Sequence, residues 1–348
     1  MQRVVMIGPA RNVRGGVSTM VNNYYAAGFE SRIRLTYIST MVDGNKLRKL
    51  LQAVWAYLRF LLILPQKDIL HANMSSDASY YRKKVFVDTA AFFRKKIVIH
   101  FHGGDFQTFF YQKSDTKEQY RIKKTLNKAD IFIVLSPEWR DIFIPLVGAD
   151  KITILRNAVQ IPEIPKNDYS SHEMLFLGRL GPDKGVGELL NVMPRLKVQF
   201  PNTHLYLGGA WIDSCLEKKA TGMTDYITYL GWIDKETQTK YMQKCSIFVL
   251  PSYFEGQPNS LIEAMAYGMT AVATNVGGIP QIIIDKLTGC LITPRNEEIL
   301  YEALEMLLNN EDLRRQYGEA ARKHIESNFN INNMVDELCK IYTSLRGM

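Results

Sequence analysis

Short runs of β-branched and aliphatic residues alternate with helix-length amphipathic segments along this chain, and that alternation predicts parallel α/β structure. In the first half the runs that read as strands are residues 4–7, 35–39, 69–71, 97–101, 131–135 and 152–155. Residues 161–169 (IPEIPKNDY) hold two prolines and little periodicity, so they read as a linker. The alternation then restarts, with strands expected at 174–177, 205–207, 227–229, 247–250, 271–273 and 290–292. Helices are expected at 187–199, 235–244, 260–267, 297–309, 312–328 and 332–345. No internal repeat of short period occurs. The pattern predicts two doubly wound Rossmann-like domains facing a cleft, over residues 1–162 and 163–330, with a final helix at 331–348 packing back on the first domain.

A chain of 348 residues suits two domains better than one core. Hydrophobic residues at 46% and charged residues at 22% are the proportions of an ordered globular protein. The longest apolar stretch, 50–64, carries Arg59 and is too short to span a bilayer of about 30 Å. The N-terminus runs straight into the first apolar strand without a signal-peptide pattern. Cys215, Cys245, Cys290 and Cys339 lie far apart and form no CxxC, which favours reduced thiols and a cytoplasmic location. The net charge of +8 is uneven: residues 1–163 hold 25 Lys and Arg against 13 Asp and Glu, whereas residues 164–348 hold 18 against 22. The first half is therefore suited to an anionic partner.

Residues 251–268 (PSYFEGQPNSLIEAMAYG) follow an apolar strand and open a helix. A strand, a Gly/Pro/Asn/Ser turn and a helix N-terminus make an anion site from free backbone N–H groups and the positive end of the helix dipole. Gly256, Gln257, Asn259, Ser260 and Leu261 would supply it. Glu255 and Glu263 flank this turn with seven residues between them. A carboxylate beside a phosphate site is costly unless it accepts hydrogen bonds from hydroxyls, and those of a sugar and a ribose fit. Ser260 and Glu263 also spell a capping box, so for Glu263 a structural reading stays open beside the binding one.

Other segments end on the same predicted sheet edges. Residues 177–185 (LGRLGPDKG) place Arg179 and Lys184 in a turn where two cations could neutralise a diphosphate. Residues 99–105 (IHFHGGD) place His102 at a strand end, while alternation is expected to send His100 to a different face; Asp105 is a weaker candidate for acceptor binding. Gly15 and Gly16 follow the first strand and permit close backbone approach to a phosphate or sugar. Trp232 follows the strand at 227–229 and reads either as a ligand contact or as a packing aromatic. No Asp-x-Asp pair and no His/Cys cluster of metal-ligand spacing occurs, so neither metal nor cofactor is expected.

The Glu-x7-Glu arrangement with its Glu-Ala-Met-Ala-x-Gly helix closely resembles the retaining GT-B glycosyltransferases of the large group 1 family. The resemblance extends over nearly the whole chain and is strongest at 175–294. It implies that Glu255 binds hydroxyls of the transferred sugar, that Glu263 binds the ribose, and that the amides of 257–261 take the diphosphate. By the same resemblance Arg179 and Lys184 hold the donor phosphates, and His102 lies close to the reacting sugar. Gly15 and Gly16 form an N-terminal loop over the cleft, and the backbone at Gly231 and Trp232 contacts the base. The expected reaction is metal-independent transfer, with retention, from a nucleoside diphosphate sugar (a UDP-sugar favoured). The expected acceptor is a lipid-linked saccharide of cell-surface polysaccharide synthesis.

Residues 45–64 mix cations with Trp55, Tyr57, Phe60 and many leucines. With Arg82, Lys83 and Lys84, and Arg94, Lys95 and Lys96, they could form a face for anionic lipid at the inner side of the plasma membrane. The other reading is a buried helix with a solvated basic end. No nucleic-acid motif accompanies the charge. Two further functions stay open beside transfer: a GT-B-like UDP-sugar epimerase and a non-catalytic nucleotide-binding protein.

Overall fold

The computed structural model describes residues 1–103, 106–163 and 167–345. The chain divides into two compact units, Met1–Ala158 with Ile331–Met348, and Val159–Asn330. In the first unit the strands β1 (Arg3–Pro9), β2 (Arg34–Met41), β3 (Ile69–Met74), β4 (Lys96–Phe101), β5 (Ile131–Val134) and β6 (Ile152–Ile154) form one sheet in the order β2-β1-β3-β4-β5-β6. The paired strands run parallel. The inner strands β1, β3, β4 and β5 are covered on both faces, which is why their runs read as largely apolar.

One face of this sheet packs Val5, Ile7, Leu70, Ala72, Ile97 and Ile99 into a core. The other packs Val4, Met6, Ile69 and Val98. The final helix Ile331–Ser344 covers that second face. Its buried Ile331, Met334, Val335, Leu338 and Tyr342 recur at helical spacing, so the last segment belongs to the first unit. The helix Lys46–Ile63 packs differently. Ala56 and Phe60 are its buried residues, while Leu47, Leu50, Leu51, Val54, Trp55, Leu58 and Leu62 are exposed. The reading of this segment as a buried helix is thereby overturned: a narrow stripe meets the core and a broad leucine-rich face remains outside.

In the second unit β7 (Glu173–Leu177), β8 (His204–Gly208), β9 (Ile227–Gly231), β10 (Ile247–Leu250), β11 (Thr270–Thr274) and β12 (Gly289–Ile292) form a sheet in the order β12-β11-β10-β7-β8-β9. The chain builds outward from β7 through β8 to β9, then crosses to β10 on β7's other side. The order therefore reverses between β7 and β10, and in such sheets the crevice beyond the strand ends at that reversal is where ligands bind. The turns after β7 and β10 carry residues 178–185 and 251–258. In the first unit the corresponding reversal lies between β1 and β3.

Candidate functional site

The switch point of the second unit brings two of the expected residues together. Lys184 Nζ lies 2.6 Å from Glu255 Oε1, and their side chains are only 15% and 13% exposed. Glu255 Oε1 also accepts from the Ser252 hydroxyl at 2.8 Å, and Lys184 Nζ approaches the Phe254 carbonyl at 3.4 Å. Arg179, by contrast, pairs with its own neighbour Asp183 at 2.9 Å in an exposed setting.

Backbone packing fixes the loop that carries Glu255. Tyr253 N donates to Asp183 O at 2.9 Å, and the Thr274 hydroxyl donates to Ser252 O at 2.5 Å. A Cβ on Gly277 would sit 1.8 Å from Glu255 O, and one on Gly278 would sit 2.1 Å from Gly256 O. Gly278 N donates to that same Gly256 oxygen at 2.8 Å. Two glycines thus let the 275–278 turn lie directly against 255–257.

The helix Asn259–Ala266 starts at Pro258 with no side-chain cap. The capping box expected of Ser260 and Glu263 is absent. The Ser260 hydroxyl donates instead to Leu177 O at 3.0 Å, at the end of β7. Glu263 accepts from Lys235 Nζ at 3.0 Å and from Gln238 Nε2 at 2.6 Å. Both partners lie on the helix Lys235–Lys244, so distant side chains outcompete the local box. Gln257, Asn259 and Glu263 are buried, and the Leu261 amide donates to Pro258 O at 3.2 Å. Trp232, 45% exposed, is no core aromatic.

A model of the glycosyl transferases group 1 matches residues 160–324, and a model of glycosyltransferase family 4 matches residues 19–161. Between them they account for nearly all of the chain. The chain belongs to the group 1 glycosyltransferases. This group 1 chain is 25% identical to a glycogen synthase of Mycobacterium tuberculosis over 64% of its own length and 56% of that protein's. It thus spans little more than half of that relative. It is 23% identical to a 41.2 kDa protein of the cps region of Klebsiella pneumoniae, over 96% of its own length and 98% of the other. Its fold is that of Anabaena HepE, solved in complex with UDP-glucose, at a TM-score of 0.80 and 16% identity, with 98% of this chain and 99% of that one covered. The two-domain α/β fold is accordingly GT-B.

In the first unit of this glycosyltransferase, Gly15 precedes the helix Gly16–Ala26 at a φ of 154°, and a Cβ there would meet nothing within 4 Å. Backbone conformation, rather than crowding, calls for glycine at that position. His102 stands just past β4, its amide donating to Met74 O at 2.8 Å. His100 does not face away from it: the two rings are 3.9 Å apart. Alternation has a period of two, so residues 100 and 102 share a face. Next along that face lies His71, 5.4 Å from His100, and its Nδ1 is bonded to the Tyr342 hydroxyl at 2.7 Å. Burial pushes the His71 imidazole down to about 3. It also holds His100 and His102 well below the usual histidine range, reinforced for His102 by His71 and by Lys83. Asp105 lies outside the described residues.

Sequence reasoning missed three partners of the site. Asn73, fully buried on β3, bonds His102 Nε2 through its Oδ1 at 2.8 Å. Tyr253 donates to Glu188, and burial together with that carboxylate pushes its phenol up to about 12. Arg295 lies over the Tyr253 ring at 4.7 Å. The available signal was a polar residue in the middle of an apolar strand for Asn73, and an aromatic inside the motif loop for Tyr253.

Proposed function

We propose that the chain transfers a glycosyl group, with retention and without a metal, from a nucleoside diphosphate sugar to a hydroxyl of a lipid-linked saccharide in cell-surface polysaccharide synthesis. The observation that carries this reading is the Lys184–Glu255 contact at the β7/β10 switch point, beside a helix N-terminus free of any side-chain cap. A UDP-sugar is the favoured donor, supported by the UDP-glucose bound to a structural neighbour of the same fold. The cps-region relative supports a role in surface polysaccharide.

As the bond to the leaving diphosphate breaks, negative charge grows on that group while the sugar becomes oxocarbenium-like. Lys184, Arg179 and the backbone amides of Gln257, Asn259 and Ser260 stabilise the charge without a metal ion, and losing one such donor would cost roughly 3 kcal/mol of barrier. Glu255 accepts from sugar hydroxyls, Glu263 from the ribose, and Gly231 with Trp232 borders the base. By the family resemblance Gly15 and Gly16 take part in donor binding, and His102 holds a hydroxyl of the sugar or of the acceptor. Incubation with labelled UDP-glucose and a membrane extract tests the reading. Label entering a lipid fraction supports transfer, an altered sugar nucleotide would support epimerisation, and unchanged nucleotide would leave only binding.

The same reading brings the protein to an anionic membrane through the helix Lys46–Ile63. No acidic residue lies between Asp43 and Asp68, a stretch that holds Lys46, Arg48, Lys49, Arg59 and Lys67. The exposed Phe92 and Phe93 and the cations at 94–96 adjoin it, since Lys95 Nζ donates to Lys67 O at 2.7 Å. Cations flanking an exposed apolar helix face fit an anionic lipid surface. Among the described residues no helix is long and apolar enough to cross a membrane, so contact would be interfacial.

A further inference from the structure

Asn73 is wholly buried, and its two amide atoms face different partners. Its Nδ2 is 3.1 Å from the Ile7 carbonyl of β1, and its Oδ1 is 2.8 Å from His102 Nε2. A carbonyl oxygen only accepts, so the atom facing Ile7 must be the NH2 group. The atom facing His102 is then the amide oxygen, which has no proton to give. Nε2 must therefore carry the hydrogen in this contact. A second constraint acts on the other ring nitrogen. His102 stacks on the wholly buried His100, whose neighbour His71 is buried too, and a second proton on His102 would place a cation in this desolvated stack. A neutral imidazole protonated at Nε2 has its lone pair on Nδ1.

We infer that Asn73 is a positioning residue that fixes the tautomer of His102, so that its Nδ1 accepts a hydrogen bond from a hydroxyl of the bound sugar or of the acceptor. This deepens the function proposed above and rests on its placing of His102 at the ligand. It narrows the chemistry. A lone pair at Nδ1 repels a phosphate oxygen and cannot protonate a leaving group, whereas it suits a hydroxyl. His102 would then orient a hydroxyl rather than act as the acid of the reaction.

The test is the 15N spectrum of the full-length chain labelled on histidine, with His102 assigned by the signal lost in His102→Gln. The expected result is one neutral tautomer, protonated at Nε2 and with a lone-pair resonance at Nδ1. An Nδ1–H tautomer, or a doubly protonated ring at neutral pH, in the parent protein would overturn the inference whatever a substitution at Asn73 does. In Asn73→Ala the Nδ1–H form should appear, and kcat with UDP-glucose should fall by about tenfold or more while its KM changes little. An unaltered tautomer in Asn73→Ala would equally overturn it. The proposed function fails separately: if His102→Ala transferred sugar at the full rate, His102 would have no place at the ligand, whatever its tautomer.

Discussion

Lys184 Nζ and Glu255 Oε1 are 2.6 Å apart although 71 residues separate them in the chain. The link is topological. β7 and β10 are neighbours with opposite onward directions of winding, so the turns that leave them meet at one sheet edge. The charges are largely removed from water, and deleting one leaves the other uncompensated. Lys184→Met should lower stability by about 2 kcal/mol, since Ser252 still donates to the carboxylate. Glu255→Gln should cost less, and the double variant should cost clearly less than the sum of the two. Denaturant melts of the four proteins give the coupling; strict additivity would show that the contact is energetically idle.

The loop geometry predicts a second effect. Gly277 has a φ of 52° and a Cβ there would overlap the Glu255 carbonyl. Gly277→Ala must therefore displace the 255–257 backbone, with a loss of about 2 kcal/mol or more. UDP should bind this variant more weakly in a calorimetric titration. Unchanged stability together with unchanged affinity would mean that the turn contact does not hold the loop.

Buried neutral histidines make stability depend on pH with a definite sign. His71, pushed down to about 3 in the fold, takes up its proton near pH ~6.5 once unfolded. Between those values the unfolded chain binds more protons, so stability falls as pH drops below about 6.5, by up to about 1.4 kcal/mol per unit for each such group. His100 and His102 add to the same slope. In urea melts from pH 7 to pH 4.5, His71→Gln should remove about one histidine's share. An identical slope in the two proteins would contradict the burial argument.

The exposed leucine face offers a test apart from catalysis. Leu50 and Trp55 are exposed on the helix Lys46–Ile63, so replacing each with Glu disturbs no core contact. The double variant should fold normally yet lose most of the sedimentation of the parent protein with phosphatidylglycerol vesicles at low salt. Equal sedimentation of both proteins would remove this helix from the membrane, and loss of a dimer in the variant would assign its face to self-association.

Strand positions were legible in the sequence because the inner strands are buried on both faces and stand out as apolar runs between turn residues, while the outer strands β2, β6 and β9, only partly buried, still carry β-branched and aliphatic residues. The helix Ser214–Thr221 was not, since SCLEKKAT carries little apolar signal and its start is marked only by the Asp213 cap. At the site, the pairing of Lys184 with Glu255 required the strand order, which no spacing supplies. The capping box failed for a similar reason: Ser260 and Glu263 find better partners at Leu177 and on the helix Lys235–Lys244. His100 was misplaced by misapplied strand parity, and Asn73 drew no attention as one polar residue in an apolar strand.

The central claim is that the loop after β10 holds the donor of a glycosyl transfer. It is tested most directly by following labelled UDP-glucose into the lipid fraction of a membrane extract with the parent protein and with Lys184→Ala. Label should enter the lipid fraction with the parent protein and enter it about a hundredfold more slowly with the variant. Equal transfer by the two proteins, or label that stays on the nucleotide with both, would contradict the claim.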